Sequence, residues 1–595
     1  MKKIVLLLTC HFLLLNAGFT QWQQANGPYG GKITALAVDP NTNYIYAGTD
    51  AGLFLSTNNG STWKAVNAGL LNTDILSITV SGHNIFAGTA NGIYLSINNG
   101  NDWKAIKNGL PPSTSIHSIA ISKNNIFAGT NKGVFVSANN GNSWKVVNIG
   151  LPENTNVQSI VVTGNNIFIG TIWKGIFVST NNGGSWTSVN NGLSDLTIES
   201  LAQNGTQIYA GTNSKGIFAS TNNGSSWTAI NSGLLNKRIL SITIDRGVVY
   251  AGTNGGGIFL SADNGKSWSA MNSGISNKIV YSLASIGKNI FAGTLGSGIF
   301  LSTNYGQNWT AINTGLLAKS VLSMAISGEN IVAGTDCGVS LSTNNGASWK
   351  EIDKGLPENV RVQSIALNGK DIFIGTQNDG VYLSVDNGSS WVAANGNTLT
   401  PSSVQSIVVK KDRIFAGTPF NGIYSSIDKG DTWTKVNTGL LNLHITALAV
   451  SGNNIYAGTY NGGVFLSKND GGSWVAMNKG LSNLEVRAVA IKGENIFAGT
   501  DGGGIFLLTN NEGSWTAINT GLRTYQLRFL TIIGNNIFAG TAWDGIFLST
   551  NNGKNWTSIN TGIPSFTIVN TIVAKGKNIF AGTKDRGVWS KILAF

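Results

Sequence analysis

Charge is scarce in this chain. Asp, Glu, Lys and Arg make up 11% of its 595 residues, against about 25% in an average soluble protein. Polarity comes instead from Asn, Ser, Thr and 77 glycines. Cysteine is nearly missing. Of two, Cys10 falls in an N-terminal stretch read as a leader, and His11 goes with it, so the mature chain keeps Cys337 alone. That excludes an internal disulfide, and zinc sites built from four cysteines or from two cysteines and two histidines. Long charge runs are missing too, so no nucleic-acid partner is expected. No run of 3.6-residue apolar periodicity appears beyond the leader, which excludes a helical protein. Only nine prolines beside a 42% hydrophobic content exclude a disordered one.

The leader itself reads as a secretory signal peptide. Lys2 and Lys3 precede an apolar run from Ile4 to Leu15, then small residues at Ala17 and Gly18. Cleavage is expected near Thr20, leaving Gln21 as the mature start. The run falls short of the ~20 apolar residues a membrane span needs, and no other segment reaches that length. Secretion to the periplasm or exterior, without a transmembrane segment, is therefore expected. Without Lys2 and Lys3, 37 basic residues face 27 acidic ones, a formal +10. Spread over so large a surface this is a mild bias, typical of solvated charge.

What is abundant is repetition. The tripeptide AGT or IGT occurs fourteen times, with its glycine at intervals of 40 to 42 residues, from Gly48 to Gly582. A representative unit, LSITIDRGVVYAGTNGGGIFLSADNGKSWSAMN from Leu240 to Asn272, holds four short apolar or β-branched runs separated by Gly and Asn clusters. Four strands in about 41 residues make one blade of a β-propeller. The first two runs are almost continuously apolar, as inner strands between blades must be. The AGT glycine lets strands crowd near the axis. Fourteen units exceed the usual four to eight blades of one ring, so an all-β fold of two tandem seven-bladed propellers is predicted.

The ends suggest where the rings divide. Gln21–Asn26 reads as a lone outer strand with Trp22 at the place of the repeat tryptophan, while the last unit stops after GVWSKIL without that strand. If each ring completes one blade with strands from its two ends, the domains are 21–305 and 306–595, the second starting at the strand of Trp309. Alternatively the N-terminal strand closes the last blade, and one ring is an insertion in the other. Internal similarity leaves both open.

Between the third and fourth runs stands the octet S-x-[ND]-x-G-x-x-W, twelve times intact and once degenerate, as LTNNEGSW at Leu508. Ser56, Asn58, Gly60 and Trp63 form the first copy; Asp263 with Trp268, Asp386 with Trp391, and Asp428 with Trp433 carry an acid where most copies have Asn. Asn or Asp can bond nearby backbone in a turn, Gly can take a positive φ, and Trp buries a large ring. Most copies hold no carboxylate, so calcium binding is excluded, and neither a metal nor another cofactor is expected. The octet resembles the Asp-box of sialidase-like propellers, where it makes a structural turn on the face away from the active site.

The loops on the opposite face vary. Those after AGT read DAG, ANG, NKG, IWKG and so on, and carry four aromatics: Trp173, Phe420, Tyr460 and Trp543. Trp173 and Trp543 have no place mandated by the repeat. Variable loops on a rigid scaffold usually bind ligands, and these four are the ligand-binding candidates.

At the level of whole units the chain resembles photosystem II assembly-factor propellers, the sortilin propeller and xyloglucanase-type glycoside hydrolases. The opening WQQANGPYGGKITALAVDPNTNYIYAGTDAGLF is similar to the first blade of the assembly factors and the xyloglucanases. The last resemblance implies an aspartate from each ring as acid and base. Asp50 in GTDAG and Asp336 in GTDCG match by position, but Asp501 occupies the same loop in unit twelve. The uniform repeat also lacks the insertions that build that family's cleft. Sialidase chemistry needs an arginine cluster, and the arginines are scattered singly. His83, His117 and His444 form no catalytic set. The expectation is therefore a secreted, monomeric, non-enzymatic propeller binding an extracellular or envelope protein or a polysaccharide through its variable loops. The alternative is a polysaccharide hydrolase using Asp50 and Asp336.

Overall fold

The computed structural model describes residues 21–25, 30–286, 288–314, 319–396, 398–399, 402–510, 513–564, 567–584 and 586–593. The signal-peptide reading, with Cys10 and His11, lies outside them. Every described strand belongs to one of fourteen four-stranded antiparallel sheets, so the chain is all-β, built as two seven-bladed propellers. Blades are numbered 1 to 14 along the chain.

Blade 6 shows why each run forms its strand. Val248–Thr253 is buried from its second residue on, because other strands cover both its faces. Ile239–Asp245 beside it begins buried and then becomes half-buried. Ile258–Ser261 follows, and the two-residue outer strand Ser269–Ala270 is exposed. Blades pack through the AGT glycine. A Cβ on Gly252 would stand 2.8 Å from a Val280 methyl of the next blade and 2.5 Å from the Ser241 hydroxyl, so no larger residue fits.

The inner strands share a second feature that spacing did not reveal. Their register shifts by one residue just after the first apolar position: His117 in blade 3, Glu199 in blade 5, Arg487 in blade 12 and Arg528 in blade 13 drop out of the ladder. Such a bulge re-aims a side chain. In every blade but the tenth the repeat thereby holds one variable, unpaired position beside the loops after AGT.

The octet is a closed hydrogen-bonded turn. In the first copy the Ser56 hydroxyl donates to Asn58 Oδ1 at 3.0 Å and accepts the Gly60 amide at 2.8 Å, and Asn58 Oδ1 accepts the Thr62 amide at 2.9 Å. Asn59 and Gly60 have φ of 54° and 82°. Trp63 is buried, and its indole donates to the Ile312 carbonyl of the preceding blade at 2.6 Å. Trp268, Trp391 and Trp433 donate in the same way to Ile230, Ile352 and Ala394. The octet thus ties a blade to its neighbour, except in blade 8, whose Trp349 indole N–H is buried without a hydrogen-bond partner.

Where Asp replaces Asn in this turn, the Ser267 hydroxyl, then its amide, hold the Asp263 carboxyl down at about 2, below its ordinary 3.8. Ser390 and Thr432 do the same for Asp386 and Asp428. A depressed carboxyl stabilises the fold fully above its ordinary range, and that stability is lost as pH falls from 3.8 through about 2. The triple variant Asp263→Asn, Asp386→Asn, Asp428→Asn is expected to lose less stability across this window than the parent. Urea midpoints at stepped pH check it; parallel acid limbs refute it.

The rings close differently from the expected division at 305/306. The first unit, Tyr29–Lys319, builds all seven blades from consecutive strands. The strand Thr310–Ala311 beside Trp309 completes blade 7 and does not open the second ring. Blade 7 then packs on blade 1 through Phe291 and Ile299 against Ile33, Phe54 and Trp63. The second unit is Ser320–Phe595 with the N-terminal strand: Gln23–Gln24 pairs with Ser590 and Trp589 and becomes the outer strand of blade 14. The first ring is therefore inserted, in sequence, between that strand and the rest of its sheet. Pairing supplies the reason: blade 14 ends at Val588–Ile592 with an open edge, and the tryptophan-bearing strand fits it.

Candidate functional site

Asp50 and Asp336 occupy one register in the first blade of each unit. Asp50 follows the buried strand Ile45–Thr49 and precedes Gly52–Ser56; Asp336 follows Asn330–Thr335 and precedes Gly338–Ser342. In both blades the threonine just before the aspartate donates its hydroxyl to the carbonyl of that glycine, at 2.8 and 2.9 Å, and accepts the amide just beyond the aspartate. The turn is thereby fixed on both sides and the carboxylates are half-buried. Asp501 shares the register in blade 12. Its carboxylate takes two hydrogen bonds from Arg487, at 3.2 and 3.0 Å.

That ion pair belongs to a row of side chains on neighbouring blades of the second unit. Phe420, in blade 10, is 79% exposed, and its ring centroid lies 5.9 Å from that of His444 in blade 11. His444 is 5.0 Å from Tyr460, which is 39% exposed. The Arg487 guanidinium of blade 12 stands 5.7 Å from the Tyr460 centroid, and Arg487 also pairs with Glu485. Burial pushes the His444 imidazole below its ordinary range; Arg487 adds to this and Glu485 opposes it. In blade 13 the Trp543 indole donates to Gln526 Oε1 at 2.9 Å.

Asparagines hold these loops in place. Asn442 donates to the Tyr460 carbonyl at 2.7 Å and accepts the His444 amide at 2.9 Å; Asn483 does the same for Asp501 and Glu485, at 3.0 and 2.9 Å. Of the four loop aromatics, Phe420 and Tyr460 thus flank one histidine, and Trp543 stands two blades beyond Tyr460 in the same unit. Trp173 stands apart on the first unit, 80% exposed at a φ of 66°, a strained conformation for a bulky residue. His444, Arg487 and Asp501 were not read as a group from the sequence. The usable signals were the variable bulge position and the Asn of GLLNLHI and GLSNLEV. A recess of about 380 Å³ beside Lys107, Pro111 and Pro112 contains none of these residues. Among the described residues, no three His, Cys, Asp or Glu come together in a way that could hold a metal ion. No described helix is long and apolar enough to cross a membrane.

Residues 120–238 and 358–484 match the DUF6242 β-propeller domain. No curated protein sequence matches the chain. Among solved structures it is similar to an ancestral GH74 enzyme, with a TM-score of 0.75 and 19% identity over 96% of this chain and 99% of that one. It is also similar to the GH74 xyloglucanase of Xanthomonas campestris, at 0.73 and 15% over 96% and 100%. A third is PorZ, an essential bacterial surface component of the type-IX secretion system of Porphyromonas gingivalis, at 0.63 and 13% over 96% and 87%. At these identities the likeness is one of fold. It nevertheless corrects the expectation of a non-enzyme, which rested on the uniform repeat and its lack of cleft-building insertions. The architecture matches that of glycoside hydrolases from end to end, so the uniform repeat is no argument against an enzyme. Repeat, blades and likeness agree on one fold: the chain is a β-propeller protein, built as two seven-bladed rings.

Proposed function

We propose that the chain is an exported glycoside hydrolase acting on a neutral β-glucan of the xyloglucan type, with Asp50 and Asp336 as its acid–base pair. The observation that carries this reading is the full-length likeness to GH74 enzymes, 96% of this chain against 99–100% of theirs. Supporting it, the two aspartates stand in the same fixed turn of each unit's first blade.

In this chemistry one carboxylic acid donates its proton to the glycosidic oxygen as the C–O bond breaks. The other carboxylate takes a proton from the water whose oxygen attacks the anomeric carbon, and the configuration inverts. No cofactor is required. The test is release of new reducing ends from xyloglucan by the purified chain, with the anomer of the first-formed product read by NMR. Turnover with inversion supports the proposal; an intact polymer after prolonged incubation over a range of pH ends it.

A further inference from the structure

We infer that the row Phe420–His444–Tyr460, with Arg487, Asp501 and Glu485 beside it, is a binding platform for an uncharged polysaccharide chain. Within the second unit it is separate from Asp336. The site would act whether or not the chain hydrolyses anything.

Exposure comes first. Phe420 is 79% exposed, so a large apolar ring is left mostly in water although burial would favour the fold. The rings do not scatter: centroid spacings of 5.9 and 5.0 Å make one continuous aromatic strip across two blades. Leu443 and Leu484, 40% and 38% exposed, lie on the same loops and extend its apolar character.

Charge then selects the occupant. One guanidinium is matched by two carboxylates, Asp501 and Glu485, so the cluster sums to a single negative charge. An anionic chain would be repelled. A sugar chain without charge meets what it needs: flat rings for its C–H faces, and carboxylate oxygens as acceptors for its hydroxyl groups. The platform is also rigid before binding. Asn442 and Asn483 clamp both loops, and the bulge at Arg487 fixes the backbone from which the guanidinium reaches Tyr460. Little ordering is left for the ligand to impose.

Place argues for a second site. Within this unit, blade 8 carries Asp336, and blade 9 stands between it and Phe420 on one side, blades 13 and 14 between it and Arg487 on the other.

Affinity electrophoresis of the full chain tests this, in native gels containing hydroxyethyl cellulose, carboxymethyl cellulose or no polymer. The expected result is retardation by the uncharged polymer and less by the anionic one. Phe420→Ala and Tyr460→Ala should each weaken binding by roughly three- to tenfold. The double variant Glu485→Gln, Asp501→Asn should shift preference toward carboxymethyl cellulose. No retardation by hydroxyethyl cellulose, equal retardation of parent and aromatic variants, or a parent preference for the anionic polymer would each overturn the inference. If retardation behaves as expected but xyloglucan stays uncut, the platform stands and the hydrolase reading falls.

Discussion

Asp50→Asn and Asp336→Asn are each expected to lower xyloglucan turnover by roughly 10²–10⁴-fold, the usual worth of a general acid or base. The amide keeps the carboxyl's size, and the threonine bonds that shape both turns use backbone atoms beyond the aspartate. The fold should therefore stay intact. The two variants should also differ from each other. An aryl glycoside whose phenol leaves without a proton should restore bond cleavage in the variant lacking the acid, and not in the one lacking the base. Asp386→Asn is the control, since that carboxylate serves an octet turn, bonded to Ser384 and Ser390. Variants at Asp50 and Asp336 that turn over like Asp386→Asn would remove both from the chemistry.

The second large effect concerns stability. Trp22 is 2% exposed, its amide donates to the Thr561 carbonyl and its indole to that of Ile559. It packs with Phe529, Phe538 and Ile579, while Ala25, three residues on, meets Val321, Met324 and Phe580 across the seam between blades 14 and 8. Trp22→Ala should cost about 3–5 kcal/mol, the usual range for emptying a buried aromatic site. Hydrogen exchange should then quicken first in blades 14 and 8, while the amides of blades 3 to 5 keep their protection. Uniform quickening of both units would contradict the closure described for blade 14. The Lys575 latch across this seam, to Glu329 and Asn345 of blade 8, is too exposed to compensate.

The blades were legible in the sequence because their physics is local. A strand alternates or runs apolar within seven residues, an octet closes within eight, and the AGT glycine marks each close approach. The closure was not legible, because Gln23–Gln24 offers two residues and one tryptophan to fourteen nearly identical edges. Only the completed rings show which edge is open. The platform stayed hidden for a related reason. His444, Tyr460 and Arg487 are 16 to 43 residues apart in the chain, and they meet because the loops after AGT face the bulge of the neighbouring blade. The two aspartates were visible from the start, because each follows the AGT run in the opening blade of its unit.

The strand pairing of blade 14 sets an order of events during synthesis. The first ring needs nothing beyond about residue 314, so it can close while the remainder is still being made. Gln23–Gln24 precedes that ring but must wait, unpaired, for Val588–Ile592 to arrive from the ribosome or the export channel. At about 5–20 residues per second the delay is tens of seconds. The last act of folding joins the oldest described strand to the youngest, so a chain truncated anywhere in its final blade leaves both the seam and its first tryptophan uncovered.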